Sequence, residues 1–189
     1  LGCPFDAMGA TMATYCGQNV GACRLDRLGQ GIRSCSLLGL AYAVMAFCAM
    51  LVFADPCAML FLNPSEPQLD LLVSLTSRYV TSVTAFFFPL ALVNIIRFSI
   101  QGMGYSSFAI LAGVLEMAAR AGVGLGLVPV FGYAAVCVAS PAAWIAADLF
   151  LVPAAFACIR KLRKMYPNQP EPPLPAQAET APPPAGAAD

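Results

Sequence analysis

Three ionisable side chains stand inside long apolar runs: Glu116 and Arg120 in AGVLEMAARA, residues 112–121, and Asp148 within residues 133–159. Charge buried in a bilayer costs roughly several kcal/mol unless it is paired or wet, so such residues are default candidates for an ion or substrate pathway. Glu116 and Arg120 are one helical turn apart and can pair on one face. Glu116 follows a turn at Gly104 by about twelve residues and Asp148 precedes Arg160 by about twelve, which places each about 18 Å into the membrane on antiparallel helices. The three are therefore expected to form one polar cluster able to carry a proton or a small cation. The alternative role is a salt bridge that only orients two helices. Arg97, nearer the Gly104 turn, is expected to snorkel to the inner interface.

Other chemistries lack their residues. Histidine is absent, which removes the commonest metal ligand and proton relay, and none of the eight cysteines forms a CxxC pair or a zinc-ligand spacing. The cysteines read as small buried hydrophobes, and no metal site is expected. There is no GxxxxGK[ST] loop for a nucleotide, and Ser99, Ser106 and Ser107 have no histidine to activate them. Gly102-Met103-Gly104 follows an apolar helix rather than a strand, so it reads as a tight turn, not a dinucleotide fingerprint. Ten basic residues balance ten acidic ones, which gives nucleic acid no general attraction. Enzyme activity is not expected.

The elements that must hold the cluster are membrane helices. Apolar residues make up 59% of the chain and charged ones 11%, against about a quarter charged in soluble domains. Residues 34–54 carry no charge and as a helix span about 31 Å, close to the hydrocarbon thickness of a bilayer. Further spans are expected at 79–100, with a kink at Pro89, at 105–127, and at 133–159 beyond the breaker-rich VPVFGY stretch. Residues 1 to about 15 read as the end of a fifth helix. The fold class is an all-α integral membrane bundle of about four complete spans and that stump. The chain opens on Leu1 without a signal segment, so an N-terminal part is expected to be missing.

Arg24, Arg27 and Arg33 precede the first complete span, and Arg160, Lys161, Arg163 and Lys164 follow the last. Both ends are therefore expected on the cytoplasmic side, with the 55–77 loop, carrying Asp55, Glu66 and Asp70, facing outward. Residues 166–189 form a Pro/Ala-rich tract expected to be a disordered cytoplasmic tail. Consecutive Phe86, Phe87 and Phe88 point in three directions on a helix, so at most one or two could line a cavity, and packing or lipid contact is favoured.

Four segments resemble one family in the same order. Residues 9–33 read GATMATYCGQNVGACRLDRLGQGIR, in which Gly17, Gln18, Asn19, Gly21 and Ala22 lead into a basic segment. Alone, this could be a Gly-rich helix cap before a positive anchor. Downstream stand VNIIRFSIQGMGYS at 93–106, with Gln101, Gly102 and Gly104 in its turn, AGVLEMAARA at 112–121 and FGYAAVCVASPAAW at 131–144. Together, from Gly9 to about Lys164, they resemble the C-terminal half of a MATE-family (multidrug and toxin extrusion) transporter.

The resemblance implies a twelve-helix protein of two six-helix lobes, of which residues 1–165 supply most of the second. It implies export of organic cations and other xenobiotics across the plasma membrane in exchange for protons or sodium, with the lipid bilayer, the small-molecule substrate and the missing N-terminal lobe as partners. No cofactor beyond the coupling ion is implied. In one branch of the family a carboxylate on the helix equivalent to 79–100 helps bind the cation. This run has no Asp or Glu, and Asn94 could supply a neutral oxygen there or an interhelical hydrogen bond instead. A lipid-linked oligosaccharide flippase of the same superfamily, or a non-transporting membrane interaction protein, are the other readings.

Overall fold

The computed structural model describes residues 1–62 and 67–166, and every regular element among them is helical. They are α1 (Cys3–Gly21), α2 (Asp26–Phe61), α3 (Leu69–Ala85), α4 (Phe87–Gly102), α5 (Ser106–Gly122), a π-helical turn (Val123–Leu127), α6 (Val128–Phe131) and α7 (Tyr133–Met165). Three segments are long and apolar enough to cross a membrane: α2, α5 through α6, and α7. The pair α3 and α4, bent by 48°, makes a fourth. The chain is a multi-pass membrane protein.

Helix α4 is the hub and packs against α1, α2, α5 and α7. Its sequence explains this: Phe87, Ala91, Val93, Ile95, Ile96, Ser99 and Ile100 are all buried, and such a set goes round the helix rather than down one stripe. Small residues set the closest approach. Gly9, Ala13 and Gly17 recur every fourth residue along α1, the spacing that lets membrane helices touch backbone to backbone. A Cβ on Gly102 would strike the Ala13 carbonyl, and one on Gly17 would lie 3.4 Å from the Gly102 oxygen.

The two glycine-rich turns are built alike. After α1, the Arg24 amide donates to the Asn19 carbonyl at 2.8 Å and the Cys23 amide to Val20 at 3.0 Å. After α4, the Tyr105 amide donates to Ile100 at 3.1 Å and the Gly104 amide to Gln101 at 2.9 Å. Both are Schellman caps, which need one left-handed residue. Gly104 supplies it in the second turn, at φ 88°. In the first the left-handed residue is Cys23, at φ 58°, and neither Gly17 nor Gly21. Lys161 near the end of α7 lies 5.3 Å over the Tyr105 ring, and Gly17 near the end of α1 lies against Gly102 of α4, so both turns and the α7 terminus share one basic end of the bundle.

Helix limits depart from the apolar runs for identifiable reasons. The 34–54 run is only the middle of α2. That helix covers 36 residues, or about 54 Å, and carries Arg27 and Arg33 near one end and Asp55 near the other. The 55–77 stretch is therefore largely helical, with Asp55 accepting a hydrogen bond from Ser77 of α3 and Asp70 in the first turn of α3. Glu66 lies outside the described residues. The 79–100 run is two helices, and the break falls at Phe86 rather than at Pro89. A proline ring collides with the carbonyl four residues before it, here Ala85, and so bends the chain a turn upstream.

The 105–127 run extends to Phe131, because the helix accommodates the lost amide of Pro129 through the adjoining π turn and stops only at Gly132, φ 57°. Helix α7 continues past 159 to Met165 and holds the basic cluster in its last turns. The first helix is longer than a 15-residue stump, running to Gly21. The tail expected at 166–189 lies outside the described residues from 167 onward.

Candidate functional site

The charged groups meet where α4, α5 and α7 pack together. Arg97 on α4 donates from Nη2 to Glu116 Oε2 at 2.6 Å, and Arg120, one turn beyond Glu116 on α5, donates from Nη2 to Oε1 at 2.9 Å. The carboxylate is thus held by two guanidiniums, one on each oxygen. Exposure grades the three partners: the side chains of Glu116 and Arg97 are 17% and 22% exposed, that of Arg120 48%. The Arg97 pair therefore lies the deeper and is the less screened.

Arg97 is a correction to the sequence reading, which sent it to the interface. It lies about 7 Å along α4 from the helix end, and Glu116 about 15 Å along α5 from its start. A guanidinium stem spans that difference. Reaching along the helix toward a carboxylate satisfies the charge, and the neighbouring α5 supplies one. Local counting along a single helix does not reveal that neighbour, although a lone acid and a lone base on consecutive helices is a signal that could have suggested it.

Asp148 on α7 enters the neighbourhood differently. It lies within electrostatic range of Arg97 and Glu116 but makes no side-chain bond to either, nor to Arg120, among the described residues. Its Oδ1 is buried without a partner, and so is Nε of Arg97. An orphaned acceptor and an orphaned donor at one helix junction are each expensive, and a bound water, cation or proton would relieve the carboxylate. Asp148 also borders a cavity of about 320 Å³ along α7 with Ile145, Leu149, Val152 and Pro153. Asn94, one turn before Arg97 on α4, is half-buried and makes no side-chain hydrogen bond to a described residue.

The remaining sequence candidates divide between packing and capping. Gly17 and Gly102 are contact points between α1 and α4, and Gly104 is the left-handed cap residue. Asn19 donates from Nδ2 to the Tyr15 carbonyl at 2.8 Å, and the Gln18 carbonyl accepts from the Ala22 amide. Gln101 is exposed at the α4 end, and a Cβ added at Gly21 would meet nothing within 4 Å. Of the three phenylalanines, Phe87 stacks edge-on against Phe5 at 5.5 Å in the core, whereas Phe86 at the break borders a cavity with Arg78 and Cys137. No group of three or more His, Cys, Asp or Glu side chains suited to a metal occurs among the described residues.

The sequence model of the family described as MatE fits residues 1–128, from α1 through the π turn, and so includes both glycine turns, Asn94, Arg97, Glu116 and Arg120. Asp148 lies beyond it. No curated protein and no solved structure matches the chain.

Proposed function

The chain belongs to the MatE family, whose members are membrane efflux transporters rather than enzymes, and from that premise we propose that it is the C-terminal lobe of a cation-coupled antiporter exporting organic cations. The observation that carries the proposal is the junction of α4, α5 and α7. There Glu116 sits between Arg97 and Arg120, and Asp148 presents a buried oxygen with no partner among the described residues. Glu116 is held by two guanidiniums and Asp148 lies within electrostatic range of Glu116 and Arg97, so a proton or sodium ion arriving at Asp148 changes the balance of the group. Arg97 is the element that senses it, because it stands on α4, bonds the Glu116 carboxylate of α5 and lies within electrostatic range of Asp148 on α7. A shift of its bond from Glu116 toward Asp148 would alter how α5 and α7 are held against α4, which is what coupling requires.

Asp148 is assigned the ion-carrying role, Glu116 and Arg97 the coupling role, and Asn94 a neutral oxygen that would serve sodium rather than a proton. Alternating access needs two bundles moving about a shared site, so this lobe works with a second one. The basic end, with Arg160 to Lys164, is assigned to the cytoplasm of the plasma membrane by the charge bias of membrane loops. An impermeant reagent that labels a tag after Asp189 in intact cells would reverse that orientation.

The main test uses the transporter with both lobes. Asp148→Asn and Glu116→Gln should each abolish ion-coupled efflux while leaving membrane insertion nearly normal. Export at the wild-type rate and pH dependence by both variants would reduce the junction to scaffolding. Asn94→Ala should remove sodium dependence if sodium is the coupling ion, and unchanged sodium dependence would exclude Asn94 as a ligand.

A further inference from the structure

Helices α2, α4 and α7 surround a second cavity, of about 400 Å³, which shares Val152 with the one beside Asp148 and extends from there to Arg33 and Ile159. Ile32 of α2, Ile96 of α4 and Val152, Phe156 and Ile159 of α7 wall it. Arg33 is the one charged side chain among its lining residues, and it is exposed, with no ion-pair partner among the described residues. On α7 the lining positions repeat every three or four residues, and the next on that stripe is Arg163, exposed at the basic end. Asp26, in the first turn of α2 and nearer the end, is the acidic residue closest along that helix.

An apolar slot of this size, in the range of roughly 300–1,000 Å³ typical of small-ligand sites, needs an occupant with an apolar body. Arg33 at its rim, without an ion-pair partner among the described residues, needs a negative charge. We propose that this cavity binds one anionic phospholipid, its acyl chain seated on α4 between α2 and α7 and its phosphate on Arg33. A zwitterionic lipid would fit the walls as well but cancels much of the attraction at the head. A lipophilic cation would fit the walls and be repelled by Arg33. The assignment does not depend on the transport reading, since a lipid can wedge two helices whether or not the bundle moves cargo.

The test uses the purified 189-residue chain in mild detergent, with lipid binding followed by native mass spectrometry during titration with phosphatidylglycerol or phosphatidylcholine. The wild type should retain one phosphatidylglycerol about fivefold more tightly than phosphatidylcholine, the preference that one basic residue near an anionic group gives. Arg33→Gln should erase that preference and Arg33→Lys should keep most of it. Lys164→Gln, off the stripe by about 100°, should leave it unchanged. Equal helicity by circular dichroism establishes that each variant folds. Equal affinity of the wild type for both lipids, or a preference that survives Arg33→Gln, would overturn the proposal. So would tetraphenylphosphonium displacing the lipid, or a disulfide-linked dimer through Ile159→Cys, which would seat a cation or a second copy there.

Discussion

Glycine is used in opposite ways at the two ends of this bundle. At the basic end, Gly102 and Gly17 lie where α1 and α4 touch, and the space a side chain would need at Gly102 is already taken by the Ala13 backbone. At the far end, Gly122, Gly124 and Gly126 follow one another through the end of α5 and the π turn, and a Cβ at any of them would meet nothing within 4 Å. No residue of that turn or of α6 is buried. In the first region glycine is demanded by contact, and the helices lock. In the second it is permitted by open space, and the helix keeps a soft stretch beside Pro129. A glycine-rich membrane helix is therefore not one kind of object, and only the neighbours decide which kind it is.

The strongest way to break this comparison is to add a side chain at the locked end. Gly102→Val should destabilise the protein by about 3 kcal/mol or prevent its isolation as a folded monomer, because the obstructing atoms belong to a backbone and cannot rotate away. Thermal unfolding in detergent measures it. A stable, wild-type-like Gly102→Val protein would mean that α1 and α4 do not approach as described.

The charged junction sharpens the same contrast between enclosed and open contacts. Glu116→Ala leaves the deeper guanidinium of Arg97 without its partner and should cost about 2–3 kcal/mol. Arg120→Ala removes the other half of the network but exposes little, since that side chain is already 48% exposed, and should cost about 0–1 kcal/mol. Equal losses in the two variants would show that the exposed pair is as strong as the enclosed one. Unfolding midpoints in the same detergent give the comparison directly.

Much of this architecture is legible in the sequence, and the limits are physical. Uncharged runs such as 34–54 mark bilayer crossings because hydrocarbon rejects charge, but they do not mark helix ends: α2 continues through Arg27 and Asp55, which water tolerates. A bend was readable from Pro89 and its place was not, since the ring acts on the carbonyl of Ala85. Glu116 and Arg120 are one turn apart and their pairing follows from helix geometry. The Arg97 contact depends on how α4 lies against α5, which spacing along one helix does not contain. The glycine turns were visible as helix ends, yet the left-handed residue of the first is Cys23.

That cysteine supports a smaller prediction at the locked end. A side chain in the left-handed region costs about 1 kcal/mol relative to glycine, so Cys23→Gly should raise stability by about that amount and leave the cap bonds from Arg24 to Asn19 in place. A lower unfolding temperature in Cys23→Gly would imply that the thiol makes a contact worth more than the strain.

The smallest effect is expected at the soft end, where Gly124→Ala tests whether open space is all that glycine has there. An added methyl group meets no atom within 4 Å, and alanine is the better helix former by about 1 kcal/mol in a regular α-helix. The π turn offers less of that gain, because its i→i+5 geometry is not the one the propensity describes. Folding stability should therefore change by less than about 0.5 kcal/mol, in either direction. Amide exchange across residues 122–131 should slow, since alanine restricts the backbone where nothing else does. If Gly124→Ala instead destabilised the protein as Gly102→Val is expected to, something outside the described residues would have to pack on this face. The contrast between a locked and a soft end would then fail. If stability holds and exchange slows, the softness belongs to the glycines themselves and can be removed without disturbing the α1–α4 contact about 30 Å away across the bilayer.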